Sequence, residues 1–148
     1  MAKLWLTRVL IPAALIIGVG LLITRRPAAM IPGDDEPSRE RLHKIGLALA
    51  AATERLGRPP RDAEELRPLL REYGDPDRLL VSPVDGHPYV ILWGADGRTA
   101  AFNTVLGYER NGSAGKRYVL TPTAVVQLTE AELAEADFPA GYPSPFRK

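Results

Sequence analysis

The chain opens on an unbroken apolar run from Val9 to Ile23, with basic residues on both sides. Taken from Leu4, with Arg8 reaching out to the interface, the run is about 20 residues long, close to the length that crosses a bilayer core. The pattern predicts a membrane anchor over residues 1–26, inserted through residues 4–23. A cleaved signal peptide is the rival, since a basic start, an apolar centre and small residues at Ala28 and Ala29 fit it as well. Arg25 and Arg26, directly after the run, fit an uncleaved anchor better. Basic residues flank both ends and do not fix orientation.

After the run the pattern changes. "PAAMIPGDDEP" places three prolines, a glycine and three acids over residues 27–37, which predicts a linker. In "RERLHKIGLALAAATERLG" the residues Leu42, Ile45, Leu49, Ala52 and Leu56 recur at helical spacing, behind Ser38 as an expected N-cap and ahead of Gly57 as the stop. Asp62 with Glu65 three residues later opens a second helix, whose apolar face is Leu66, Leu69 and Leu70. Pro68 inside it predicts a short or kinked element.

From residue 88 the pattern becomes strand-like. "PYVILW", "VLGYE", "KRYVLT" and "AVVQLT" are rich in β-branched and aromatic residues, "TAAFN" is a weaker candidate, and "RNGSAG" reads as a hairpin loop. "TEAELAEA" predicts a closing helix capped by Thr129 with Glu132. The tail "FPAGYPSPFRK" cannot be helical. Phe138 and Tyr142 either fold back over the sheet or belong to a free tail that meets a partner. The fold class expected is α+β: an N-terminal transmembrane helix, then amphipathic helices on a small antiparallel meander, with a short C-terminal helix. The domain plan is 1–26 anchor, 27–37 linker, 38–139 folded domain and 140–148 tail.

Charge and composition narrow the function classes. The 19 basic and 18 acidic residues nearly balance, which argues against a surface built to neutralise nucleic-acid phosphates. Lys3, Arg8, Arg25 and Arg26 lie in the first 30 residues without any acid, so the remainder is net acidic. With no cysteine in the chain, disulfides, thiolate metal sites, cysteine nucleophiles and lipidation at cysteine are excluded.

Three groups invite a chemical reading. Ser82, Asp85 and His87 fall within six positions, but a triad depends on spatial geometry, and Pro83, Gly86 and Pro88 mark a tight turn. His43 sits beside the apolar stripe with no second ligand at a metal-binding spacing, so a partly exposed helix histidine explains it. Lys116 and Arg117 beside Tyr118 suggest an anion patch, yet bases at a hairpin edge also guard against foreign pairing.

"DGHPYV" followed by "GADG" resembles the helix-to-sheet turn and following loop of the type II secretion major pseudopilin. "VLGYE", "GKRYVLT" and "LTEAELAEADFP" resemble the C-terminal half of pilin-like proteins. The resemblance covers about residues 39–139. It does not extend to a Gly–Phe cleavage point, an early glutamate or a continuous helical rod, since no Gly–Phe pair occurs, no acid lies in the apolar run and the prolines intervene. It implies a pilin-like head and a non-enzymatic role through protein–protein contacts in an envelope or secretion assembly. The implied location is the inner membrane, single-pass, with the head on the extracytoplasmic side. Some pseudopilins resemble calcium-binding proteins in their sheet loops, and the resemblance implies a partial calcium site at Asp96 with Asp85 or Asp77; Asp residues also favour turns by bonding their own backbone. The alternative function is a membrane-tethered binding module whose loop aspartates hold calcium or a small ligand. No catalytic residue and no other cofactor is expected.

Overall fold

The computed structural model describes residues 36–147. The expectations for an anchor and for most of the linker therefore lie outside the described residues. Among the described residues no helix is long and apolar enough to cross a membrane.

The first helix, α1 (Glu36–Leu56), is followed by α2 (Ala63–Leu70) and a single turn, α3 (Pro76–Leu79). The strands β1 (Val90–Ile91), β2 (Gly107–Tyr108), β3 (Lys116–Leu120) and β4 (Val125–Thr129) form an antiparallel meander in that order, and α4 (Glu130–Glu135) closes the ordered elements. The α+β class and the antiparallel meander expected from the sequence are both present.

Local signals account for most of these elements. Asp62 accepts from the Glu65 backbone N–H at 3.0 Å and starts α2. Pro68 leaves that helix eight residues long, and Leu66, Leu69 and Leu70 are buried as the spacing predicts. At α4 the capping box is complete: Thr129 accepts from Glu132 N–H, and the Glu132 carboxylate accepts in return from Thr129 N–H at 2.8 Å.

Other expectations change. Ser38 is not the cap of α1, because the helix already includes Glu36 and the Ser38 hydroxyl turns inward. The buried stripe of α1 is Leu42, Ile45, Ala48 and Ala52; Leu49 is half-buried and Leu56 exposed. "TAAFN" forms no strand, and "PYVILW" contributes two strand residues rather than six.

The sheet has a packed layer on each face, so its residues divide by parity. Ile91 and Leu120 face α1, α2 and α3 in one apolar cluster with Leu42, Ile45, Leu66, Leu70 and Leu79. Leu92, Tyr108 and Val119 face a second cluster containing Leu133 of α4, with Phe138 and Phe146 packed against it. Gly46 lets α1 approach the sheet, since a Cβ there would lie 2.8 Å from Leu120 Cδ1. The C-terminal segment supplies most of the second layer. Tyr108 makes edge contacts with Phe138 and Phe146, at ring-centroid distances of 6.3 and 5.6 Å. Tyr142 donates its hydroxyl to the Trp93 carbonyl at 2.5 Å, and Arg147 donates to the Ala134 carbonyl at 3.1 Å. Of the two expectations for the tail aromatics, folding back is the one observed.

Candidate functional site

The stretch from Ser82 to His87 is the corner between α3 and the sheet, held largely by its own backbone. Ser82 N–H donates to the His87 carbonyl at 2.9 Å, and Gly86 N–H donates to the Ser82 carbonyl at 3.0 Å. Asp85 Oδ1 accepts from His87 N–H at 2.9 Å. Its Oδ2 reaches across to the β2–β3 hairpin and accepts from Asn111 N–H at 2.8 Å and Gly112 N–H at 3.1 Å. Gly112 is required there: its φ is +68°, and a Cβ would collide with the Lys116 carbonyl. Partial burial works to raise the Asp85 pKa, but the three backbone donors outweigh it and hold the carboxyl below its ordinary value. The corner is thus pinned to a distant hairpin by one carboxylate.

Ser82 does not face His87. Its hydroxyl is wholly buried, accepts from Val84 N–H at 3.1 Å and donates to Glu109 Oε1 at 3.0 Å, while His87 is exposed. The structure places Ser82, Asp85 and His87 in one turn without a hydrogen-bonded relay among their side chains.

Glu109 is the centre of a buried polar joint. It follows β2, is 1% exposed, and takes donors from three parts of the chain. Ser38 Oγ, in the first turns of α1, donates to Oε1 in a short contact; Ser82 Oγ donates to the same oxygen; Tyr118 N–H of β3 donates to Oε2 at 2.8 Å. Tyr89 Oη lies 2.8 Å from Ser38 Oγ. Because Ser38 gives its proton to Glu109, the phenol is the donor in that contact. Burial, with the Glu109 charge adding to it against the opposing Ser38 bond, pushes the Tyr89 pKa up to about 12. No buried side-chain nitrogen or oxygen among the described residues lacks a hydrogen-bond partner. A carboxyl enclosed with three aimed donors, two on Oε1 and one on Oε2, fastens the segments that supply them.

Arg41 reinforces this end of α1 from outside, donating to the carbonyls of Arg78 at 2.9 Å and Val81 at 2.7 Å. The start of α1 is therefore tied to α3, to the corner and to two strands by side chains that reach 37 to 71 residues along the chain.

The other candidate residues are dispersed. Asp77 pairs with Arg67 at 2.7 Å. Asp96 pairs with Arg98 at 2.9 Å and accepts from that residue's backbone N–H at 2.9 Å, bonds that hold its pKa below the ordinary value. Asp85 is spent on the hairpin. Among the described residues no three His, Cys, Asp or Glu side chains converge in an arrangement that could hold a metal ion. Lys116 is exposed, and Arg117 lies over the Phe146 ring at 4.9 Å and donates to the Arg110 carbonyl at 3.1 Å, so its stem and charge serve the second layer. A mostly apolar groove of about 270 Å³ lies between α1 and the sheet loops, with His43 and Arg98 at its rim.

Sequence reasoning found Ser82 and Asp85 but missed Glu109, to which Ser82 is bound. The local signal was slight: one acid ending the apolar stretch "VLGYE". The chain matches no family model, no curated protein and no solved structure.

Proposed function

We propose that the chain is a non-enzymatic, single-pass membrane-anchored protein whose folded unit acts through protein–protein contacts in a bacterial envelope or secretion assembly, in the manner of a pseudopilin head. The observation that carries this reading is the buried joint at the start of α1. Ser38 lies one residue beyond the proline-rich linker, and its hydroxyl is fastened through Glu109 to the corner and the sheet. Helix ends ordinarily fray, because their first N–H groups lack partners. Here the end that receives the linker is cross-tied, which suits a unit held in position through its N-terminus. The acid-free apolar run at residues 9–23 supplies the means of attachment. The Ser82 hydroxyl and the Asp85 carboxylate that suggested chemistry are engaged in joint and turn contacts, and the exposed His87 contributes only its backbone to the turn, which also favours a contact role.

The test is to express the full chain in a bacterial host, separate membranes, and extract them at alkaline pH. The expected result is that the chain stays with the membrane pellet, that a chain lacking residues 1–26 does not, and that purification of the native complex recovers other envelope proteins. A full-length chain that leaves the pellet on alkaline extraction would overturn the anchoring. Recovery of a lone monomer from gently solubilised membranes would overturn the assembly role.

A further inference from the structure

We infer that the outer edge of β4 is a self-association surface, through which two copies of the chain join their sheets antiparallel about Val126. The meander leaves β4 at one end, with β3 on its inner side only. Which of its backbone groups are free follows from the ladder. Thr121 N–H donates to the Ala124 carbonyl, so the hairpin starts on a hydrogen-bonded pair and alternates from there. Leu120 accepts from Leu106 N–H and Tyr118 accepts from Glu109 N–H, so both point toward β2 and away from β4. Their partners across the hairpin, Val125 and Gln127, therefore turn their N–H and C=O groups outward. Among the described residues no strand pairs with that edge. Thr129, the next outward position, is already occupied by the Glu132 carboxylate.

Solvent-exposed edges are usually guarded by a charge, a proline within the strand, or a bulge. None of these lies within β4. The five pairs between β3 and β4 run without interruption, and from Thr121 to Thr129 there is no charged residue. Beside the edge, Phe102 is 73% exposed and Val126 37%, and both line one shallow apolar groove of about 310 Å³.

These features fit a second copy of the same strand. Val125 and Gln127 are placed symmetrically about Val126, so a two-fold axis through Val126 pairs Val125 of each copy with Gln127 of the other. That register closes four backbone hydrogen bonds, brings the two Val126 side chains together, and sets Glu130 against Pro122 rather than against another charge. An uncharged strand carries no like-charge cost when it meets itself. Contact through one short strand buries less than a stable dimer ordinarily needs, so association is weak in dilute solution. Covalent capture is the suitable readout.

The chain has no cysteine, so an introduced thiol is the only one present. In the proposed register Val126 faces its own copy as a non-hydrogen-bonded pair, with Cα atoms about 4.5 Å apart, within disulfide reach. Ala124 faces Leu128 of the second copy, leaving the two Ala124 positions about 14 Å apart at ~3.4 Å per residue. Purified full-length Val126→Cys in detergent micelles is expected to form a disulfide dimer under mild oxidation at least tenfold faster than Ala124→Cys. Adding Gln127→Pro to Val126→Cys is expected to suppress that dimer while leaving the circular dichroism spectrum intact, because the Gln127 N–H has no partner among the described residues to lose. Absence of a Val126→Cys dimer, or equal rates at positions 124 and 126, would overturn the proposal. So would full cross-linking in the proline variant.

Discussion

At the scale of single residues the decisive group is Glu109, and its neighbours set what a substitution there must do. Glu109→Gln retains a satisfiable arrangement: the amide oxygen can accept from Tyr118 N–H while the NH2 donates to Ser38 and Ser82, whose hydroxyls can also accept. Glu109→Leu removes the acceptor of the buried Ser38 and Ser82 hydroxyls and one acceptor of the Tyr118 N–H, at about 1–3 kcal/mol for each buried group left unsatisfied. Thermal unfolding of the full chain is expected to show a small loss for the amide and a loss of at least 3 kcal/mol, or failure to fold, for the leucine. Equal losses would mean that the hydrogen bonds to Glu109 are not what holds the joint. Asp85 gives a second residue-scale test. Its folded pKa lies below the ordinary value, so the fold binds its proton less readily than the unfolded chain does. Its stabilisation is then fully present above the ordinary aspartate range and is lost as pH falls through the folded pKa. Glu65 acts in the same direction: the bidentate contact from Arg58, helped by the Arg61 backbone N–H, lowers its pKa from 4.5 to about 2. Stability of the native chain is expected to decline from about pH 4.5 downward, and Asp85→Asn to lower the neutral plateau and flatten this acid limb. A parallel downward shift at every pH would show that Asp85 does not titrate differently in the two states.

At the scale of elements, packing of α1 on β3 turns on the pair Gly46 and Leu120. A methyl group at 46 would press on the Leu120 side chain, whose far end can move but which is almost fully buried. Overpacking there costs about 1–3 kcal/mol, against about 1 kcal/mol gained from replacing glycine by alanine inside a helix. Gly46→Ala is therefore expected to be neutral to destabilising in the native chain and stabilising in a Leu120→Ala background. A double-mutant cycle measures that change of sign, and simple additivity would contradict the contact. The same pair explains which parts of the fold were legible in the sequence. α2 and α4 were read correctly because their signals, Asp62 with Glu65 and Thr129 with Glu132, act within four residues. In α1 the expected and observed stripes share Leu42, Ile45 and Ala52 and part at Leu49 and Leu56, expected on the buried face, and at Ala48, found there. That difference is set by tertiary packing, which includes the close approach of α1 to β3 at Gly46. The meander is readable from the turns, whereas the two-residue extents of β1 and β2 are not marked by any local signal. The joint was least legible, because Glu109 lies 71 residues from Ser38 and 27 from Ser82, and no local pattern connects them.

At the scale of the whole folded unit, the sheet is covered on both faces by different means. One face has three helices; the other has one short helix and a segment with almost no regular structure. That segment earns its place through side chains: Phe138 and Phe146 bracket Tyr108, Arg117 lies over Phe146, and Tyr142 and Arg147 fix the chain by bonds to Trp93 and Ala134. Leu133 and Val119 beneath it are fully buried. Removing residues 138–148 would uncover much of this layer, including part of the burial that raises the Tyr108 pKa above its usual value. At about 25 cal/mol per Å² of apolar surface, with aromatic residues burying about 150–250 Å² each when fully covered, loss of both phenylalanines amounts to several kcal/mol, a large fraction of a small domain's stability. The truncated chain is expected to melt well below the full-length protein, to bind a hydrophobic dye, and to show Tyr108 ionising closer to the ordinary tyrosine value. Phe146→Ala alone should produce a smaller shift in the same three measurements. If truncation leaves the melting temperature unchanged, the tail rests on the sheet without stabilising it, and the second face is then available to a partner in solution.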